Sequence, residues 1–248
     1  YEELLDWAAD LPTDLTVVPS VGPAYGRAMD QAPFLRRYDF PAVLMLPCRD
    51  PRTAEGIAHG IREFVEAAET PVILYLKSEE NLGDDLRAGF EAIHELVEDG
   101  SCVAIKYAIT RENPVEDRYL EELLTWVDRE KVISGLGERP AIVHMKTFGL
   151  AGFTTGSGCL QPRLCRELFE ACRDGEYVRA HALREHFLPM EDLRDAWGPD
   201  RVLHEAVSAA DIAETGPVLP FLSELTDVQV DSVRPDARKL AGLHRKHA

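Results

Sequence analysis

Lys106 closes the run Ser-Cys-Val-Ala-Ile-Lys, an otherwise apolar stretch followed by Tyr-Ala-Ile. A lysine is seldom buried unpaired, because desolvating an ammonium costs several kcal/mol or drives its pKa down. The neutral amine so produced attacks a ketone and forms a Schiff base. A strand-end lysine whose head reaches solvent accounts for the same letters. Tyr75 ends Pro-Val-Ile-Leu-Tyr, one strand–helix unit earlier. Neighbouring parallel strands lie about 4.8 Å apart, so this phenol could shuttle protons to and from the amine. A core tyrosine with its hydroxyl satisfied at a strand end reads equally well.

Two small-residue segments follow. Ser134-Gly135-Leu136-Gly137-Glu138 runs from a strand end into a loop, where glycines let a ligand approach the backbone and Glu138 could bind hydroxyls or move a proton. A tight turn before a helix explains it too. Gly152-Phe-Thr154-Thr155-Gly156-Ser-Gly158 could cradle an anion with its amides, but lacks the lysine of a phosphate loop. The eight histidines are scattered, and no metalloprotease, serine-hydrolase or EF-hand motif is present, so no metal is expected.

The elements that must carry these groups alternate. Short apolar runs at Leu15–Val18, Ala42–Leu46, Val72–Leu76, Cys102–Lys106, Lys131–Ser134 and Gly152–Thr155 read as buried strands. Between them Ile57, Ile61, Phe64, Val65 and Ala68, then Leu86, Phe90, Ile93, Leu96 and Val97, keep helical spacing. This rhythm predicts βαβ units and a parallel sheet. Helices are expected over 162–173, 177–187 and 200–213, then a polar tail. No G-x-G-x-x-G follows a strand, which removes the dinucleotide version of the open fold. The expectation is an α/β (β/α)8 barrel with its active face at the C-terminal strand ends. Leu4, Leu5, Ala8 and Leu11 read as the middle of a helix without a cap, so the first two strands are expected to be missing. The barrel portion is placed at 1–160 and a helical extension at 161–248.

Of 248 residues, Asp and Glu number 44 against 27 Lys and Arg, a formal charge of −17. Such a surface has no basic stripe to displace counterions from a phosphate backbone, which argues against nucleic acid. No apolar run approaches the roughly 20 residues that span a bilayer, and the start lacks a signal-peptide pattern. Five cysteines, with no C-x-x-C pair, argue against a disulfide framework or a zinc knuckle. A cytoplasmic protein is expected.

With these residues in hand, the sequence resembles the dihydrodipicolinate synthase/N-acetylneuraminate lyase family of Schiff-base aldolases, over nearly its whole length. Leu74-Tyr75 is similar to the family's L-Y-N-x-P strand and Ala104-Ile105-Lys106 to its G-I-K strand. Pro47-Cys-Arg-Asp-Pro-Arg-Thr53-Ala-Glu55-Gly56 resembles its P-x-x-N-x-x-T-x-E-G loop. Val132-Ile-Ser-Gly135 with Glu138, and Gly149-Leu-Ala-Gly152 leading to Pro162, resemble its last two strands. The resemblance implies a homo-oligomeric (β/α)8 barrel, tetramer or dimer, without a cofactor. It implies that Lys106 forms an imine with pyruvate or a related 2-oxo acid, that Tyr75 relays protons, and that Glu138 helps bind a sugar chain; Gly135, Thr154, Thr155 and Gly156 of the two small-residue loops are expected along the substrate beside it.

Departures narrow the activity. Glu80 stands where the synthases carry a carboxylate-binding Arg, and Cys48 and Arg49 replace the tyrosines of their relay loop. Arg49, Lys77 or Arg111 could supply the carboxylate contact instead. The expected activity is therefore an aldolase or dehydratase acting on a 2-oxo acid or sugar-acid derivative, not dihydrodipicolinate synthesis. The alternative is a non-catalytic relative that binds or senses a 2-oxo acid.

Overall fold

The structure is a computed structural model and describes residues 1–12, 14–46, 48, 53–218 and 221–243. The chain divides into two compact units, Tyr1–Ile133 and Ser134–Ala248. The boundary drawn from the sequence at 160/161 falls inside the second of them.

In the first unit strands and helices alternate: α1 (Glu2–Ala9), β1 (Ser20–Val21), α2 (Tyr25–Leu35), β2 (Val43–Met45), α3 (Ala54–Ala68), β3 (Val72–Leu76), α4 (Leu86–Glu98), β4 (Cys102–Tyr107) and α5 (Arg118–Trp126). β5 (Val132–Ser134) straddles the boundary. Each strand pairs with its sequence neighbour, and the pairs from β1 to β4 are parallel. A doubly wound sheet reverses its strand order at a switch point, whereas a (β/α) barrel adds every strand on the same side. The unreversed order therefore selects the barrel pattern. Six of the eight strands of a closed ring are present among the described residues, and the sheet they form is open.

The expected strand at Leu15–Val18 is a correction. The chain there is irregular, with Leu15 56% exposed, and pairing begins at Ser20, opposite Leu44. The Leu44 amide donates to the Pro19 carbonyl and that of Leu46 to Val21, so the register with β2 sets this strand rather than its own hydropathy. β3 matches its expected run, and β4 extends it by Tyr107.

The helices of this unit pack by their apolar stripes. α3 buries Ala58, Ile61, Phe64 and Ala68, and α4 buries Phe90, Ile93, Leu96 and Val97. Each large side chain is worth about 1.5–3 kcal/mol of burial. Their starts are capped: the Thr53 hydroxyl accepts the Gly56 amide, and Asp85 accepts that of Ala88.

The second unit is helical apart from β5's end and β6 (Gly152–Phe153), joined where the Thr154 amide donates to the Ser134 carbonyl at 2.7 Å. Its helices are α6 (Ala141–Lys146), α7 (Pro162–Arg173), α8 (Tyr177–Arg184), α9 (Leu188–Trp197), α10 (Pro199–Ala209) and α11 (Asp227–Ala241). Leu164, Leu168, Phe187, Met190, Val202, Ala206, Val233 and Ala237 form their common core. The expected polar tail is thus corrected: α11 is a regular helix whose Thr226 and Gln229 form a capping box, and Val233, Ala237 and Leu240 supply its buried stripe. No described helix is long and apolar enough to cross a membrane.

Candidate active site

The parallel register sets Tyr75 of β3 opposite Lys106 of β4. Residues paired in register point to the same face of a sheet, and the Lys106 ammonium accordingly lies 4.4 Å from the centroid of the Tyr75 ring. That is cation–π distance. Lys106 is half-buried, and burial pushes its pKa below the ordinary lysine value, with repulsion from Lys77 adding to the shift. No carboxylate is among the groups acting on it. Burial in an apolar strand beside another cation, with no counter-charge among the described residues, favours the neutral form of the amine, which is the nucleophilic one.

Lys77 follows the end of β3, two positions past Tyr75, with its backbone amide donating to Asn81 Oδ1 at 2.8 Å. Arg111, a possible carboxylate ligand by its type, is already bound: its Nε lies 3.0 Å from Asp117 and its Nη2 2.6 Å from Glu79. Asp117 is fully buried and also accepts the Tyr107 hydroxyl at 2.6 Å and the Leu120 amide that caps α5. One residue after Lys106 the alternation thus turns to a structural task. Burial and Asp117 hold the Tyr107 phenol neutral by raising its pKa. Arg49 lies outside the described residues.

The second unit gathers the other expected residues. Ser134 is buried, its hydroxyl 2.8 Å from Nδ1 of the buried His144. Glu138 is fully buried, and its Oε1 accepts a hydrogen bond from the Thr155 hydroxyl. The same Thr155 oxygen accepts the Gly158 amide at 2.7 Å. Thr154 starts the loop with its amide on Ser134. Gly135 and Gly156 belong to the two loops that meet here, 134–138 and 154–158.

Two residues not expected from the sequence complete this cluster. Glu191 and Arg194, one turn apart on α9, are bound to each other, and Arg194 Nη1 lies 3.8 Å from Glu138 Oε2. Ser157 joins them, its hydroxyl 3.3 Å from Glu191 Oε1. Burial, then the charge of Glu191, push the Glu138 carboxyl up to about 7. Glu191-x-x-Arg194 is a helical ion-pair spacing, but such pairs mostly lie in solvent. Nothing in the spacing says that this one is sealed.

Glycine explains the close fit. Gly137 has φ +80°, and a Cβ there would sit 2.7 Å from Glu191 Oε2. A Cβ at Gly156 would sit 2.9 Å from Arg194 Nη2 and 2.6 Å from Leu203 Cδ1. The glycines of both loops thus admit α9 and α10, whatever else they admit. The described residues include no cluster that could hold a metal ion.

Solved structures share this fold. A dihydrodipicolinate synthase from Oceanobacillus iheyensis superposes with a TM-score of 0.76 at 22% identity, over 95% of this chain and 74% of that one. A sialic acid aldolase from Ruminococcus gnavus gives 0.82 at 15% identity, over 100% and 81%. PhdJ, bound to a substrate intermediate, gives 0.77 at 15%, over 100% and 78%. No protein-family profile matches the sequence, and no curated protein does. At these identities the likeness establishes the fold.

Proposed function

We propose that this protein is a Schiff-base-forming lyase of the dihydrodipicolinate synthase/N-acetylneuraminate lyase family, acting on pyruvate or a related 2-oxo acid. The observation that carries the reading is the Lys106–Tyr75 pair: an amine with a lowered pKa, 4.4 Å from the ring of a phenol on the adjacent strand. Support comes from the fold shared with lyases, one of them a sialic acid aldolase also solved as a catalytic-lysine mutant.

In the proposed chemistry the neutral Lys106 nitrogen adds to the 2-oxo carbon. The carbonyl oxygen leaves as water as the C=N bond forms, and protonation of that nitrogen makes the imine an electron sink. Cleavage of the C3–C4 bond then sends its electron pair into the iminium to give an enamine, while the C4 hydroxyl gives up its proton and becomes an aldehyde; in a dehydratase, removal of a C3 proton gives the enamine, which expels the C4 hydroxyl as water and returns to an iminium. Tyr75 carries protons to and from these centres. Glu80, at the position where the synthases carry Arg, leaves dihydrodipicolinate synthesis without its carboxylate anchor. The substrate proposed is accordingly a sugar-acid derivative or another 2-oxo acid. The protein is proposed to work in the cytoplasm as a homo-oligomer.

The test is reductive trapping. Incubation with pyruvate and borohydride, followed by peptide mapping, is expected to place a reduced adduct on Lys106. Thermal stabilisation by 2-oxo acids with no adduct and no turnover would transfer the protein to the binding relatives. Neither adduct nor stabilisation would end both readings.

A further inference from the structure

The second unit encloses more negative than positive charge. Glu138 is 0% exposed and Glu191 3%. Among the described residues, the charged and titratable groups facing them come from three elements. From α9 come Glu191 itself and Arg194; from the 157–159 turn, Cys159; from α7, Cys165. Burial pushes the Cys165 thiol up to about 11, so it contributes no charge near neutrality. Cys159 is likewise raised by burial. Arg139 feels Glu191, but its guanidinium is held by Asp192 at 2.5 Å and Asp195 at 3.2 Å. Among the described residues that leaves one guanidinium, Arg194, for two sealed carboxyls.

Hydrogen bonding points the same way. Glu138 Oε1 is occupied by the Thr155 hydroxyl, whereas the buried Oε2 has no donor among the described residues. The Glu191 carboxyl stands on the same guanidinium as Glu138: Arg194 Nη1 is bound to Glu191 Oε1 and lies 3.8 Å from Glu138 Oε2. Two carboxylates facing each other are both acceptors, and only a proton between them makes a bond. Glu138, sealed from water, with one oxygen lacking a donor and a second carboxyl on its only cation among the described residues, is driven toward its protonated form.

We propose that Glu138 and Glu191 share one proton and that this pair, clamped by Arg194, is a pH-operated latch holding α9 against the 134–138 and 154–158 loops. Glu191 and Arg194 are then positioning residues for Glu138 and Thr155. The sign follows from linkage. A carboxyl whose folded-state pKa is raised stabilises the fold fully below its unfolded value, and that contribution is lost as pH rises through the folded one, here about 7. The latch tightens in acid and loosens in mild alkali.

The experiment is thermal unfolding of the full chain between pH 5.5 and 8.5. The wild type is expected to lose several degrees across this range, and Glu191→Gln, which leaves one carboxylate for one guanidinium, to flatten the profile. Glu138→Gln should flatten it equally, since either change removes the need for the shared proton. Parallel profiles for wild type and both variants would overturn the proposal. Should a variant fail to fold, carboxyl ¹³C titration of the wild type decides. One glutamate proton retained near pH 6 supports the latch, and two ordinary glutamate titrations sink it. Borohydride trapping reads Lys106 and unfolding reads the pair, so the imine reading and the latch fail separately.

Discussion

The two units carry their ionisable groups in opposite ways. In the first, Lys106 is half-buried, repelled by Lys77 and given only an aromatic face, Tyr75, as its neighbour in register. In the second, Glu138 and Glu191 are sealed and share the guanidinium of Arg194. A half-buried cation with no ion-pair partner among the described residues gives up its proton more easily than a paired one. A carboxyl pair in a closed polar cluster holds a proton instead, and its energy goes into packing. The difference sets the lysine proposed for chemistry, which meets an aromatic face, against polar groups that tie two loops and a helix together.

Substitutions that exchange these behaviours test the contrast. Lys106→Met removes the nucleophile and is expected to abolish reductive trapping entirely while the chain still folds, because no ion pair is lost. Circular dichroism together with adduct mass checks both halves. Tyr75→Phe keeps the amine and the ring but deletes the proton carrier. Turnover should fall by about 10²-fold or more, with borohydride trapping on Lys106 still detectable; single-turnover kinetics separates the two.

Arg194→Met inverts the pattern in the second unit. It leaves two buried carboxyls without a cation and should cost about 3 kcal/mol, read by urea unfolding, with no change in Lys106 trapping if the two clusters work independently. Gly137→Ala places a Cβ against Glu191 at a backbone angle alanine disfavours, and about 1–2 kcal/mol is expected from the same measurement. The smallest effect is that of Lys77→Gln. Removing a neighbouring positive charge raises the Lys106 pKa, so less neutral amine exists near pH 7. The trapping rate should drop a few-fold there, and its pH profile should move to higher pH. An unchanged profile would leave burial as the sole cause of the shift.

Legibility followed the reach of each interaction. Lys106 and Tyr75 stand out in sequence because an ionisable or polar side chain at the end of an apolar strand is locally anomalous. β3 and α7 are read to the residue because apolar period and the proline at 162 mark them. β1 was misplaced because its own hydropathy favours Leu15–Val18, whereas the amides of Leu44 and Leu46 select Pro19 and Val21 as partners. The charged residues of α11 mask its apolar stripe in the sequence. Its Thr226–Gln229 capping box was nonetheless present as a local signal. Arg111 could not be told from a ligand-binding arginine until Asp117 and Glu79 were seen to hold it.

By itself the amino-acid sequence determined the alternation of strands and helices, and it marked Lys106 and, one unit before it, Tyr75 at the ends of apolar strands, since each depends on neighbours a few positions away. Tertiary structure alone decided the unreversed strand order, the 75–106 register and the sealing of Glu138 by two side chains of α9 more than fifty positions downstream. Charge burial is a property of what closes over a residue. No spacing within one segment encodes which distant helix will do so.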